Sequence, residues 1–554
     1  MTDTQFDALV IGSGASGSFA AKELTERGLR VALVEAGREI GPEDFADPPK
    51  GPVEKGIQLR QRAIATILGQ HVQAKVAFFG HQFRHLFVND REHPYETTRD
   101  QPYLWIRGRQ LGGRLHTYGR VLMRWSDTDF KAGSRDGASP DWPIAYGDLA
   151  PYYDKVESFL GLVGTPEGLP NLPDGKYLKP GHLTAAERRL KEAVEGRWPE
   201  RRVTTWRYMP PNPRRVPQPL LAAMATGRLT VLADRIARKV LTDRSGARAI
   251  GAEVIDRRSG QVSILTARVV VLCCSPVETV RLMLNSASDA HPEGLANGSG
   301  MLGRCFMDQA PLVIFGTIPG QKGKEDDPTW DPDPWYGRTG GAYIPRWENV
   351  GDRHNPVFLR GYGFQGTAAR LYVPPHKRAQ FAFMGFCEML PAPDNRITLS
   401  HRRDRWGMPI PHIRCHVGEN ERRLLMAASD EIRAMVEAAD FEVEWIGSPL
   451  GLTEYGRGAY PDEDPISRWF FRRFFPRAMT MGAAIHESGG ARMGDDPATS
   501  VLNRHNQAWE VPNLFVTDAA AFPTSGTAGT TLTIMALTVR ACEHIAGELA
   551  AGRL

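Results

Sequence analysis

A mostly apolar run, residues 6–11, leads directly into Gly12-Ser13-Gly14-Ala15-Ser16-Gly17, and a second apolar run, Val31-Ala32-Leu33-Val34, ends on Glu35. This order of strand, glycine loop, helix, strand and acid admits few folds. The first run reads as a buried parallel strand. Gly12 then allows a tight turn, Gly14 lets backbone approach a pyrophosphate, and Gly17 lets the following helix, expected over 15–27, pack close to the strand. Phosphates are favoured at the positive N-terminus of such a helix, beside Ser13 and Ser16. Glu35, followed by Ala36, stands where a carboxylate can hold a ribose 2′-hydroxyl. The spacing therefore predicts a dinucleotide clamp for FAD or NAD rather than NADP.

The other end of the chain carries a matching signal. His486-Glu487-Ser488-Gly489-Gly490-Ala491-Arg492-Met493-Gly494 places a histidine on a glycine-rich loop, and Asn513-Leu514-Phe515-Val516-Thr517-Asp518 reads as a strand ending in an acid. Together the two ends predict one cofactor site built from both termini.

At 554 residues the chain exceeds one ordinary domain, so two or three structural units are expected. A hydrophobic fraction of 42% and a charged fraction of 24% are those of a soluble globular protein, and a net charge of +4 points to no nucleic-acid partner. No apolar run approaches the ~20 residues that span a bilayer. The first strand begins almost at the N-terminus, which leaves no secretory signal and predicts a cytoplasmic protein. The six cysteines form no CxxC pair, so neither zinc nor a thiolate-held iron–sulfur cluster is expected. Cys273 and Cys274 close an apolar strand and read as buried small residues.

Between the ends, Arg107-Gly108-Arg109-Gln110-Leu111-Gly112-Gly113-Arg114-Leu115-His116-Thr117 forms a second glycine-rich element. An amphipathic helix follows at 147–160, and a Gly/Pro-rich extended loop at 163–182. Residues 229–274 alternate as strands, with turns at Asp243–Ala247 and Arg257–Gly260. Ser275-Pro276 opens a helix through Leu284, residues 320–336 read as a lid-like loop, and 418–438 as a helix. The segment from Arg468 to Phe475, RWFFRRFF, reads as a loop. Its aromatics either pack in the core or line a pocket, or they form a membrane-surface or partner-docking patch.

In this order, the head clamp, Leu111-Gly112-Gly113, Ser275-Pro276, His486…Gly494 and Asp518…Phe522-Pro523 leading to Leu532-Thr533-Ile534-Met535 resemble the glucose-methanol-choline (GMC) family of FAD-dependent oxidoreductases. Tyr95-Glu96-Thr97, Trp105-Ile106-Arg107-Gly108, Arg124-Trp125-Ser126-Asp127 and Asp141-Trp142-Pro143-Ile144 are similar to its bacterial glucoside 3-dehydrogenase and gluconate-dehydrogenase-like flavoprotein subunits. The resemblance implies an α/β fold: a discontinuous Rossmann-like FAD-binding domain from 1–160, 230–310 and 480–554, and an antiparallel β-sheet substrate domain, covered by helices, from 161–229 and 311–479. It implies that Gly12, Gly14, Gly17 and Glu35 hold the ADP half of FAD, and that Arg107, Gly112, Gly113, His116 and Thr117 lie toward the flavin or diphosphate. Asp518 and Ala519 would lie near the diphosphate and ribityl chain, with Val240 near the adenine and Thr531 touching the flavin through its backbone. His486 matches the family's catalytic histidine, a residue type whose pKa suits a base.

Three departures qualify the resemblance. The second catalytic His or Asn of the family falls here on Gly529, followed by Thr530, so Thr527, Thr530, Thr531 or water would supply the missing hydrogen bond. Members with a covalent flavin carry a histidine where this chain has Thr117, with His116 one residue short, which favours non-covalent FAD. The Cys-rich insert of many glucoside 3-dehydrogenase flavoproteins is absent from Trp206–Pro213, which favours oxygen, a quinone or another diffusible acceptor. The expected activity is oxidation of a secondary alcohol of a sugar, glycoside or glycosylated natural product, of the 3-keto type, with room for an accessory subunit or homo-oligomer. Gly529 keeps open a lyase-like or other non-standard reaction on the same scaffold, or a non-catalytic flavoprotein partner.

Overall fold

A computed structural model of the chain describes residues 5–45, 62–76, 79, 84–325, 340–456 and 465–554. Strand β1 (Phe6–Ile11) and helix α1 (Ala15–Glu26) form the expected strand–loop–helix unit, and β2 (Val31–Val34) runs parallel to β1. The glycine requirement is steric. A Cβ on Gly17 would lie 1.7 Å from the carbonyl oxygen of Gly12, and one on Gly12 would lie 2.4 Å from that of Cys273. Helix and strand can approach this closely only without side chains.

Helix α2 (Tyr146–Leu160) and helix α3 (Ala185–Arg197) precede α4 (Gln218–Ala225). Strands β3 (Leu229–Leu232), β4 (Arg235–Thr242), β5 (Ala249–Asp256) and β6 (Val262–Leu272) follow, then helix α5 (Pro276–Asn285). They complete a sheet of order β3-β2-β1-β6-β5-β4, parallel through β6 and antiparallel beyond it. On the side away from β1, strand β6 serves two partners. Its first half pairs with β5, and its last residues pair in parallel with the C-terminal strand Leu514–Val516. That pairing brings the tail of the chain to the glycine loop. Burial of the parallel strands on both faces explains their continuous apolar character.

The second sheet begins with β7 (Gln309–Lys322), then β8 (Ala342–Ile344), β9 (Tyr362–Ala368) and β10 (Arg378–Glu388). A hairpin of β11 (Arg396–Arg403) and β12 (Pro409–Arg414) leads to helix α6 (Glu419–Ala438). Strands β13 (Glu442–Ser448) and β14 (Gly451–Glu454) and helix α7 (Pro465–Ala478) follow. After these come β15 (Leu514–Val516) and the long C-terminal helix α8 (Thr531–Ala550). The order is β14-β13-β7-β10-β9-β8 with Thr204–Thr205 at the edge, antiparallel throughout, and α6 covers one face. One apolar core runs continuously from β1 and β6 to β7 and β10.

Some boundaries differ from the expected ones. Helix α4 packs on α1 and β3 pairs with β2, so 218–229 joins the nucleotide-binding unit rather than the substrate unit. The hairpin β11–β12 lies against α5 and so also borders that unit. The RWFFRRFF segment is helical, not a loop, because its aromatics recur at helical spacing. Of the expected lid-like loop, 320–322 complete β7, and 326–336 lie outside the described residues.

Candidate active site

The two ends of the chain meet through side chains as well as strands. Ser16 Oγ lies 2.7 Å from Thr517 Oγ1, and Thr538 Oγ1 of α8 donates to Ser16 at 3.1 Å. Above this junction is a cavity of about 620 Å³. Of the expected cofactor residues, Gly12, Ser13, Gly14, Ser16, Glu35 and Ala36 from the head line it, as do Arg107, Gly113 and Thr117 from the second glycine element. The tail supplies His486, Asp518, Ala519, Gly529, Thr530 and Thr531.

Four expected residues stand elsewhere. Gly17 packs α1 on β1, as its spacing implies. Gly112 stands behind the wall, its N–H donating to Ser13 Oγ at 2.9 Å and its φ of 89° suited to glycine. His116 does not face the cavity: its Nε2 bonds the Leu111 carbonyl at 2.8 Å, and its ring rests on Phe45. It is a packed structural histidine beside a separate, small cavity of about 40 Å³. Val240 is the fourth. Its N–H is taken by Ser286 Oγ, and the β4 residues that reach the cavity are Arg235, Ile236 and Ala237. The strand leaves the cavity before residue 240, which the sequence pattern could not register.

The wall suits an anionic, dinucleotide-sized ligand. Helices α1, α5 and α8 all open onto the cavity at N-termini without a side-chain cap. Their free N–H groups and partial positive charge are available to a ligand. A Cβ on Gly14 would meet nothing within 4 Å, so that loop faces open space. Glu35 accepts from the Ser13 N–H at 3.2 Å and the Gly37 N–H at 2.8 Å, and burial raises its pKa. Asp518 caps the turn after β15 by accepting from the N–H groups of Ser275 and Ala520 and from Thr279 Oγ1. Burial lifts its pKa to about 6 against those bonds. Arg109 and Glu278, both in the cavity wall, form an ion pair.

His486 lines the same cavity and stands beside the second sheet, next to Phe386 of β10. The preceding Ile485 holds φ at 60°, an uncommon conformation for a β-branched residue and a local strain that sets the loop's direction. The His486 ring lies 4.9 Å from Phe386, and its Nδ1 is 2.6 Å from Gln309 Oε1. The Gln309 amide nitrogen faces three carbonyls, those of Ser525, Gly526 and Ala528, at 2.9, 3.0 and 2.9 Å. Only an NH2 group suits that position, so Oε1 must face the histidine and Nδ1 must carry the proton. Nε2 is then a bare lone pair. Burial, with the nearby Arg114 charge, pushes the His486 pKa down to about 4. Asp308 accepts the backbone N–H of His486 at 3.0 Å, and burial, with Glu487 nearby, raises its pKa to about 7. Arg114 bridges three parts of the chain, bonding Glu487 at 2.7 Å and Ser275 Oγ at 2.8 Å.

Gly529 faces Nε2. An added Cβ there would be 3.6 Å from His486 Nε2 and 3.7 Å from the Val121 carbonyl, ordinary contact distances. The position thus holds space in front of the histidine, in a cavity lined also by Trp206, Gln365 and Met384. Gln309 and Asp308 were missed by the sequence reading. The available signal was a polar Asp-Gln pair at the start of a largely apolar strand.

Residues 7–301 match the FAD binding domain family, and residues 391–538 match the GMC oxidoreductase family. The chain belongs to the GMC oxidoreductases. It is 27% identical to the 2-methyl-1,2-propanediol dehydrogenase of Mycolicibacterium austroafricanum, over 98% of this chain and 95% of that protein. It is also 27% identical to a C-glycoside 3-oxidase of Arthrobacter globiformis, over 55% of this chain and 51% of that protein. Its fold is similar to that of a variant formate oxidase from Aspergillus oryzae, with a TM-score of 0.65, 14% identity and full coverage of both chains. The cofactor of this GMC oxidoreductase is FAD, and the glycine loops, Glu35 and the three open helix N-termini fit it. Its chemistry is FAD-dependent oxidation of an alcohol. Among the described residues, no cluster of His, Cys, Asp and Glu could hold a metal ion, and no helix is long and apolar enough to cross a membrane.

Proposed function

We propose that the protein oxidises a ring secondary alcohol of a sugar or glycoside to a ketone, at the 3-position, with His486 as the base. FAD, when bound, accepts the hydride. His486 Nε2 takes the hydroxyl proton, and Gln309 holds the imidazole in the required tautomer. The low pKa keeps the base free of protons at neutral pH, and the Gln309 carbonyl oxygen, 2.6 Å from Nδ1, supports the positive charge that forms.

The observation that carries the reading is the space at Gly529. A hydroxyl on a substituted ring carbon needs room on both sides of the carbinol, and the missing side chain provides it beside Nε2. Trp206 and Phe386 offer flat apolar faces for the C–H face of a sugar ring, and Gln365 offers polar contact. The relative named as a C-glycoside 3-oxidase supports the substrate class. Residues 161–217 and most of 311–479 serve as the substrate unit, and the reduced enzyme passes electrons to oxygen, a quinone or another diffusible acceptor.

The test is an anaerobic titration of the holoenzyme with a panel of glycosides, free sugars and small diols, followed through the flavin absorbance. Bleaching by glycosides with a 3-keto product, abolished in His486→Ala, is expected. Bleaching by small diols alone would remove the sugar assignment, and unchanged turnover in His486→Ala would remove the base.

A further inference from the structure

Helix α7 (Pro465–Ala478) is apolar on two faces. On one, Phe471 and Phe475 stack at 4.3 Å and pack against Trp445 at 5.1 and 4.5 Å, which seats the helix on β13. On the other, Ile466, Trp469, Phe470 and Phe474 are 67%, 59%, 39% and 49% exposed. Their spacing of three, four and eight residues from Ile466 makes one solvent-facing stripe. Arg473 and Arg477, both exposed, fall within that stripe, and Arg472 flanks it. The helix carries four arginines and no acidic residue. It also touches the segment Gln73–Lys75, which adds Lys75 beside Arg477, while Arg472 is paired with Glu454 of β14 and leaves Arg473 and Arg477 as the outward charges.

A soluble surface helix ordinarily turns its polar face to water. Here the outward face mixes large aromatics with arginines, the composition of a helix lying in a membrane interface: rings at the headgroup boundary, guanidinium groups among phosphates. A second copy of the chain fits poorly, because a two-fold contact would press arginines against arginines. We propose that α7 docks this protein on an anionic lipid surface, with Trp469, Phe470 and Phe474 inserted among headgroups and Arg473 and Arg477 pairing with lipid phosphates. The chain continues from Ala478 to Ala483, Ala484 and Ile485, which line the cavity, so docking holds that wall near the membrane.

The test is co-sedimentation of the full-length holoenzyme with phosphatidylcholine vesicles, with and without phosphatidylglycerol. The wild type should bind the anionic vesicles, release in high salt, and leave neutral vesicles largely unbound. Arg473→Gln should weaken binding about fivefold. The double variant Trp469→Ser/Phe474→Ser should weaken it by about tenfold or more. Both variants alter exposed side chains, so flavin spectrum and melting temperature should match the wild type. Absence of wild-type binding to anionic vesicles overturns the proposal, as does undiminished binding by the double variant. A wild-type dimer that the double variant abolishes, with no vesicle binding, would assign the face to self-association instead.

Discussion

Gln309→Glu tests how the scaffold holds His486. The substitution keeps the shape of the side chain, replaces the NH2 that serves three carbonyls, and puts a carboxylate 2.6 Å from Nδ1. A unit charge at about 3 Å is worth roughly 5 kcal/mol at an effective dielectric of about 20, or about 4 pKa units taken alone. Desolvation of the new carboxylate offsets part of this, which leaves a rise of about 1–3 units in the imidazole pKa. Because the reaction needs His486 neutral, kcat/KM of the wild type should be flat at neutral pH and fall below about pH 4. In the variant that acid limb should move up by about 1–3 pH units. The three carbonyls lose their donor, so stability should fall by about 1–3 kcal/mol for each one left unsatisfied. The assay is anaerobic flavin reduction by stopped flow across pH, on protein that retains its flavin spectrum. An acid limb that stays in place would refute either the base assignment or the hydrogen bond that sets its tautomer.

Gly529→Asn should fold and keep FAD, since the new Cβ finds ordinary contacts; its kcat/KM should drop at least about tenfold for bulky glycosides and less for small alcohols, measured by steady-state kinetics on both. Gly17→Ala should lose FAD during purification, read from the flavin-to-protein absorbance ratio, because its Cβ would overlap the Gly12 carbonyl. Ser16→Ala removes the bonds to Thr517 and Thr538 and should cost about 1–2 kcal/mol, read by denaturant unfolding of the apoprotein. Because the folded His486 pKa lies below its unfolded value of 6.5, the group contributes stability above pH 6.5 that is lost as pH falls from there to about 4. His486→Gln should flatten that portion of the stability curve.

Local periodicity and glycine spacing were enough to place β1, α1, β2, α5, α6 and β15 just before Asp518, because each carries its own local pattern of apolar residues and glycines. The same logic picked out Gly12, Gly14, Glu35 and Asp518, which all line the cavity, because their positions follow from where a strand ends and a helix begins. RWFFRRFF was misread as a loop, since consecutive aromatics and arginines hide a helical period until one face is seated on Trp445. Val240 was placed too far along its strand, and His116 was offered to the cavity when its ring is held by the Leu111 carbonyl.

By itself, then, the sequence determined the nucleotide-binding unit and the cofactor class and singled out His486 as a candidate, because those signals are short-range and sterically strict. Only the tertiary structure decided what surrounds His486. Gln309, three carbonyls from 525–528, Arg114 and Glu487 come from distant parts of the chain, and no sequence spacing brings them together. The consequence of Gly529 is likewise spatial. As a letter it marks a missing side chain; in the fold it is the space in front of His486 Nε2, the ring nitrogen left with a lone pair.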